Sequence, residues 1–154
     1  MQSLVEIPLA NANPAVILHV IGTDAGGVLN LPQSLLLLLK QAQMVAAPSR
    51  LAYYPSSGQQ LICTDQPAEA IETIAAAMAL GESTVLLASG DPLWFGIGRL
   101  LLQRFEPAQL CFHPAPSSMQ LAFAGIARPW QDASWISLPG RAPEALAAAL
   151  QKRP

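Results

Sequence analysis

Short, uniformly apolar runs alternate along this chain with longer amphipathic stretches, and each apolar run stops at glycine, proline or small polar residues. That rhythm predicts βαβ units, because parallel strands covered on both faces lose the apolar-polar alternation of a half-exposed strand. Residues 15–21 predict a first strand ending at the Gly22 loop. Pro32 then opens a helix through about Gln43, and 44–47 give a short second strand before the turn Pro48-Ser49-Arg50. After the polar bend Tyr54-Pro55-Ser56-Ser57-Gly58, residues 61–63 form a third strand. Asp65 reads as a helix cap ahead of Pro67, with Glu69 and Glu72 in the early turns and 75–80 completing the helix. Residues 85–88 are the central strand, 96–104 a helix, and 110–112 the strand that closes the sheet.

Beyond this point the pattern changes. Pro114-Ala115-Pro116 predicts a stiff connector, and Ser117 is placed to cap a helix through Ala127. Residues 135–137 predict a strand of a second unit, and Pro143 opens a helix that reaches the chain end. The expected organisation is a tail over 1–14 and a first α/β domain over 15–113, an open, mostly parallel sheet with helices on both faces. A connector and the incomplete beginning of a second α/β domain follow over 114–154.

The central strand runs directly into Ser89-Gly90-Asp91-Pro92-Leu93-Trp94-Phe95-Gly96-Ile97-Gly98. Open parallel sheets bind small molecules outside the carboxyl ends of their strands, so residues 89–95 are expected to floor a pocket. Gly90 lets backbone approach a ligand closely; a branched residue there should block the ligand with little loss of fold. Pro92 stiffens the turn and offers a carbonyl without a competing N–H. Asp91 has two readings, a ligand contact or a turn cap bonding backbone N–H groups. Trp94 and Phe95 are either pocket walls or ordinary core aromatics.

Composition narrows the classes. Hydrophobic residues make up 52% of the 154 positions and charged residues only 12%, against about 25% charged in ordinary domains. The deficit predicts apolar surface covered by a partner subunit or a further segment, hence a homo-oligomer, most simply a dimer. The leucines at 35–39 are cut off by Lys40 and predict a buried helix, not a membrane anchor. Residues 1–14 contain Glu6 and no basic cluster, so they do not read as a secretory signal, and a cytoplasmic setting is expected. Cys63 and Cys111 lie in apolar, strand-like segments and predict buried reduced thiols. His19 sits inside an apolar run and His113 follows a strand end, so no His, Cys, Asp or Glu cluster has metal-ligand spacing and no metal is expected. A net charge of −2 with eight scattered basic residues excludes a nucleic-acid footprint.

The motif Ser89-Gly90-Asp91-Pro92, followed by an aromatic and Gly96-Ile97-Gly98, resembles the central motif of the tetrapyrrole (corrin and porphyrin) methyltransferases. Four further stretches fit one branch of that family in order and spacing, the precorrin-6Y or cobalt-precorrin-7 C5-methyltransferases of cobalamin synthesis. They are Val20-Ile21-Gly22 with Gly26-Gly27, Pro48-Ser49-Arg50-Leu51, Pro114-Ala115-Pro116-Ser117-Ser118-Met119-Gln120, and Pro129-Trp130-Gln131-Asp132 leading to Pro139-Gly140-Arg141. The resemblance implies a two-domain enzyme that transfers a methyl group from S-adenosylmethionine to ring carbon 5 of a corrin precursor, the cofactor lying in the cleft between the domains. Only the opening of the second domain is present, as expected of either a fragment or a natural remnant.

By resemblance, Ala25, Ser89, Gly90, Asp91, Trp94, Phe95, Ser117 and Ser118 contact the cofactor. Gly22, Asp24, Gly26, Arg50 and Arg141 edge the tetrapyrrole side, where guanidinium groups suit the carboxylates of a corrin precursor; each arginine also reads as an ordinary surface residue. Methyl transfer from a sulfonium needs positioning and water exclusion rather than a strong acid, metal or nucleophile, so no catalytic residue is assigned. The chain departs from the family pattern twice. Gly22-Thr23-Asp24 stands where Gly-x-Gly is usual, and Pro139-Gly140-Arg141 where His-Gly-Arg is usual. Two other classes stay open: a non-catalytic relic serving as a binding or assembly module, and a nicotinamide-dependent oxidoreductase suggested by Gly22-x-x-x-Gly26-Gly27 after a strand.

Overall fold

The apolar runs do become strands. The computed structural model describes residues 16–51, 53–133, 135 and 147. Its strands are β1 (Leu18–Thr23), β2 (Met44–Ala47), β3 (Gln60–Cys63), β4 (Thr84–Ser89) and β5 (Leu110–His113). All four neighbouring pairs are parallel, in the order β3-β2-β4-β1-β5. The helices are α1 (Gln33–Gln41), α2 (Pro67–Ala79), α3 (Gly98–Arg104) and α4 (Ser118–Gly125).

The two-residue period of a strand divides the sheet's side chains between two cores. Leu18, Val20, Leu86 and Ala88 face Ile71, Ile74 and Met78 of α2, Leu101 of α3 and the following Phe105. Ile21, Val45, Ala47, Val85 and Leu87 face the other way, onto Leu39 of α1 with Leu31 and Ala42. Thus the helix after β1 lies on one face and the helix after the adjacent β4 lies on the other. Where neighbouring strands send their connections to opposite faces, a crevice opens at their carboxyl ends. Residues 22–24 and 89–91 meet at that point. On the first of these cores, the α2–α3 contact is tied at its rim by the Arg104 guanidinium on the Glu72 carboxylate at 2.8 Å, both exposed.

Several expectations shift. β1 begins at Leu18 rather than 15 and runs through the glycine, because the pairs Gly22↔Ala88 and Thr23↔Ser89 carry the ladder on. Asp65 does not cap α2: the cap position is Gln66, without a side-chain bond, and the Asp65 carboxylate accepts from the Ser49 backbone N–H at 3.0 Å. α1 is not a buried helix. Only Leu39 is buried and Leu37 is 50% exposed, because one sheet face covers one stripe. The thiols are free, but Cys63 lies exposed on edge strand β3 and Cys111 is half-buried. The helix expected from 96 starts at Gly98, and the one from Ser117 ends at Gly125. Trp135 stands outside any regular element and Ala147 is helical. The rest of the expected strand at 135–137, the rest of the helix from Pro143 and the tail 1–14 lie outside the described residues. Among the described residues, no helix is long and apolar enough to cross a membrane.

Candidate functional site

The floor of the crevice is main chain. The Gly90 N–H donates to the Thr23 carbonyl at 2.7 Å, and the Gly90 carbonyl accepts from the Ala115 N–H at 3.4 Å. Thr23 is buried and its hydroxyl donates to the Ala88 carbonyl at 3.0 Å, clamping β1 to β4. A Cβ on Gly22 would overlap the Gly90 carbonyl oxygen and stand 2.8 Å from Ala115 N and 3.1 Å from His113 O. Glycine is therefore required at 22 so that the ends of β1, β4 and β5 can close on one another. Gly90 adopts φ +66°, and a Cβ there would stand 3.1 Å from Ser117 Cα. This corrects the expectation that a branched residue at 90 leaves the fold intact: the close approach is to the start of α4, and the backbone itself is left-handed.

The turn after β4 is wrapped around one proline. The Asp91 carboxylate accepts from the Leu93 N–H at 2.9 Å, the turn-capping reading of this residue. Pro92 is buried and its carbonyl accepts from the Gly98 N–H at 2.9 Å, so that oxygen already has a donor. Cβ atoms on Gly96 and Gly98 would stand 2.6 and 2.7 Å from the same oxygen. The tight wrap displays Trp94 and Phe95 at the surface, edge to face at 4.9 Å between centroids. They are not core aromatics. Phe95 takes φ +49°, a left-handed conformation costing roughly 1–2 kcal/mol for a residue with a side chain. Trp94 continues to Trp135 at 5.9 Å.

Beside this turn lies a cavity of about 550 Å³, lined among others by Arg50, Asp65, Ser89, Phe95, Ile97 and Leu100. The Arg50 side chain reaches the Ser89 hydroxyl at 3.3 Å. Hydrogen bonds from the Ser49 side chain and backbone, with the nearby Arg50 charge, hold the Asp65 carboxyl below the usual carboxylate range.

The Asp24 carboxylate bonds within its own loop. It accepts from the Gly26 N–H at 2.8 Å and from the Asn30 amide at 3.2 Å, and a Cβ on Gly26 would overlap that amide. Ala25 is exposed at the loop tip. Ser117 is the N-cap of α4 in a capping box: its hydroxyl accepts from the Gln120 N–H at 3.3 Å and donates to the Gln120 Oε1 at 3.0 Å. That hydroxyl is committed to the helix, whereas Ser118 is exposed. Gly22, Gly90 and Ser117 thus converge, and Ser89 meets Arg50. Asp24, Ala25 and Gly26 form a separate loop leading from the same strand end, and Arg141 lies outside the described residues. Sequence reasoning missed Thr23, Asp65, Ile97 and Leu100 as parts of the site. Thr23 carried a signal, as a polar residue directly following an apolar strand and glycine.

A further correction concerns metal ligands. His19, Cys111 and His113, distant in sequence, offer ligand atoms that all lie within 4.8 Å of one another. The expectation that no such cluster exists rested on sequence spacing, which the pairing of β1 with β5 overrides.

The chain and its fold have known relatives. The model of the Tetrapyrrole (Corrin/Porphyrin) Methylases matches residues 18–153. The chain is 33% identical over 139 residues, 86% of its length, to a precorrin-6Y C(5,15)-methyltransferase [decarboxylating] of Sinorhizobium sp, and spans 33% of that protein. Its fold resembles that of the methyltransferase CobJ, with TM-score 0.63 and 20% identity over 88% of this chain and 62% of the other. It also resembles the precorrin-6Y methylase of Archaeoglobus fulgidus, with TM-score 0.56 and 23% identity over 75% of this chain and 60% of the other.

Proposed function

The chain belongs to the tetrapyrrole (corrin/porphyrin) methylase family, and from that premise we propose that it binds S-adenosylmethionine at the carboxyl ends of β1 and β4 and presents it for methylation of a precorrin or cobalt-precorrin at ring carbon 5. The observation that carries the cofactor half is the crevice at the switch point between β1 and β4, with the cavity beside Ser89 and Phe95. The choice of ring carbon rests on the 33% identity to the Sinorhizobium protein.

The cavity suits the cofactor. Its volume falls within the roughly 300–1,000 Å³ of small-molecule sites. Phe95, Ile97 and Leu100 give it an apolar wall, Ser89 and Asp65 offer acceptors to hydroxyl and ammonium groups, and Arg50 offers donors to a carboxylate. When bound, the sulfonium group supplies an activated methyl whose in-line transfer disperses charge. The chain's own contribution is to fix the donor's position on rigid main chain and to shield one side of it from water with the apolar wall of Phe95, Ile97 and Leu100. The Gly22–Gly90–Ala115 contacts supply the rigidity, since they bind three strand ends into one unit.

Calorimetric titration with S-adenosylmethionine, S-adenosylhomocysteine and NAD tests the cofactor. Binding of the first two and not the third is expected, and binding of NAD alone overturns the reading. Transfer of labelled methyl to carbon 5 of a corrin precursor tests the reaction. Cofactor binding with every precorrin left unmodified would reduce the chain to a non-catalytic module.

A further inference from the structure

We propose that His19, Cys111 and His113 form a binding site for a borderline divalent metal ion, Zn²⁺ foremost, on the sheet face shared by β1 and β5. The register pairs His19 with Cys111 and Ile21 with His113. Residues two apart on a strand share a face, so one histidine of β1 and a Cys-x-His pair of β5 project to the same side. All three are half-buried. The imidazoles stack at 5.3 Å between centroids, 23° from parallel, with His19 Nδ1 and His113 Nε2 3.0 Å apart.

Two readings compete for that short N···N distance. A hydrogen bond needs one ring to donate and the other to accept. A shared ion needs two lone pairs directed at one point, and zinc–nitrogen bonds of about 2.0–2.1 Å place tetrahedral nitrogens about 3.3 Å apart. The observed separation is about 0.3 Å short of that value, so replacing the proton by an ion calls mainly for rotation of the two rings, which turns both lone pairs from each other toward one point. A zinc–sulfur bond of about 2.3 Å sets a nitrogen–sulfur separation of roughly 3.6 Å. From a spread of at most 4.8 Å, side-chain rotation suffices and the strands need not move.

The chemistry selects the ion. Imidazole ligates through a ring nitrogen of its neutral form. Binding would deprotonate the thiol and release its proton. Two imidazoles and a thiolate suit zinc or copper; magnesium and calcium prefer oxygen donors. Three protein ligands leave a fourth position for water or a group from outside. The site stands apart from the proposed cofactor reading, since none of its side chains lines the cavity beside Ser89.

The test uses the full chain with Cys63→Ser, which removes the other thiol from the opposite sheet edge. Competition against a chromophoric chelator should give one Zn²⁺ per chain, and Co²⁺ should produce a thiolate-to-cobalt charge-transfer band. Cys111→Ser should abolish that band, and His19→Gln or His113→Gln should weaken zinc binding at least tenfold. Absence of binding, or binding unchanged in these folded variants, overturns the proposal. The unsubstituted chain gives a second reading that does not depend on any variant's folding. Zinc should slow iodoacetamide alkylation of Cys111 but not of Cys63, and equal slowing of both, or of neither, counts against the site.

Discussion

Gly22→Ala is the sharpest probe of the crevice, because everything the new methyl meets is main chain. The Cβ would overlap the Gly90 carbonyl oxygen, with Ala115 N at 2.8 Å and His113 O at 3.1 Å. No rotamer relieves such a clash, so to reach ordinary contact the β4 end must withdraw by roughly 1.5 Å and the β5 end by roughly 0.5 Å. Overpacking commonly costs about 1–3 kcal/mol, and the absence of any flexible neighbour puts this case near about 3 kcal/mol. For a chain of this length each kcal/mol lowers Tm by about 2–4 °C, so a fall of roughly 6–12 °C is expected in a circular-dichroism melt. The same withdrawal displaces Gly90 and Ser89, and calorimetry with S-adenosylhomocysteine should show affinity falling at least tenfold. Gly125→Ala is the control. Its Cβ meets nothing within 4 Å, at the end of α4, and alanine there should be neutral or stabilise by up to about 1 kcal/mol. A Gly22→Ala chain that melts within about 2 °C of the parent and binds equally well would refute the three-strand closure.

Ser117→Ala should cost about 1 kcal/mol in urea unfolding through loss of the N-cap, and an unchanged midpoint would show that Gln120 alone holds the start of α4. Arg104→Gln should move the Glu72 carboxyl, now held low by the hydrogen bond and charge of Arg104, up toward its ordinary range in an NMR titration. The sign follows from the lowered folded value: whatever stability the pair supplies is complete above the ordinary carboxylate range and is lost as pH falls through the folded one. The variant's melting temperature should therefore depend less on pH in that window. Light scattering at micromolar concentration should give a mass above the monomer, since Leu29, Leu80, Phe95 and Ile126 are each at least 60% exposed.

Much of the sheet was legible because its strands are short and bounded by residues that stop them. β2 fell at the expected residues, between polar Gln43 and Pro48, and β4 extended by only one residue at each end. β1 was misplaced because its extent depends on partners far along the chain: pairing with Ala88 and Ser89 carries it through Gly22, which local rules treat as a stop. Asp65 followed the local rule for a cap in sequence only, since a non-local neighbour, the Ser49 N–H, takes its carboxylate. At the site, close approach was legible for Gly90, read as toward a ligand, whereas Gly22 was read as a strand end, and neither reading showed main chain pressing on main chain. The His19–His113 contact spans 94 residues. Its trace in the sequence was the same-face spacing of Cys111 and His113, which acquires meaning only once β5 is known to lie beside β1.

The sheet order also bears on how the chain is made. Of the described strands β1 is made first, yet its neighbours are β4 and β5, the two made last, and His19 waits for Val85 on one side and Cys111 on the other. At about 5–20 residues per second, the 66 residues from His19 to Val85 take roughly 3–13 s to synthesise. For that interval an apolar strand has both hydrogen-bonding edges free, the arrangement most prone to pairing with another nascent chain. Slower translation or a missing chaperone should therefore lower the soluble yield of this protein before any effect on the folded state is felt.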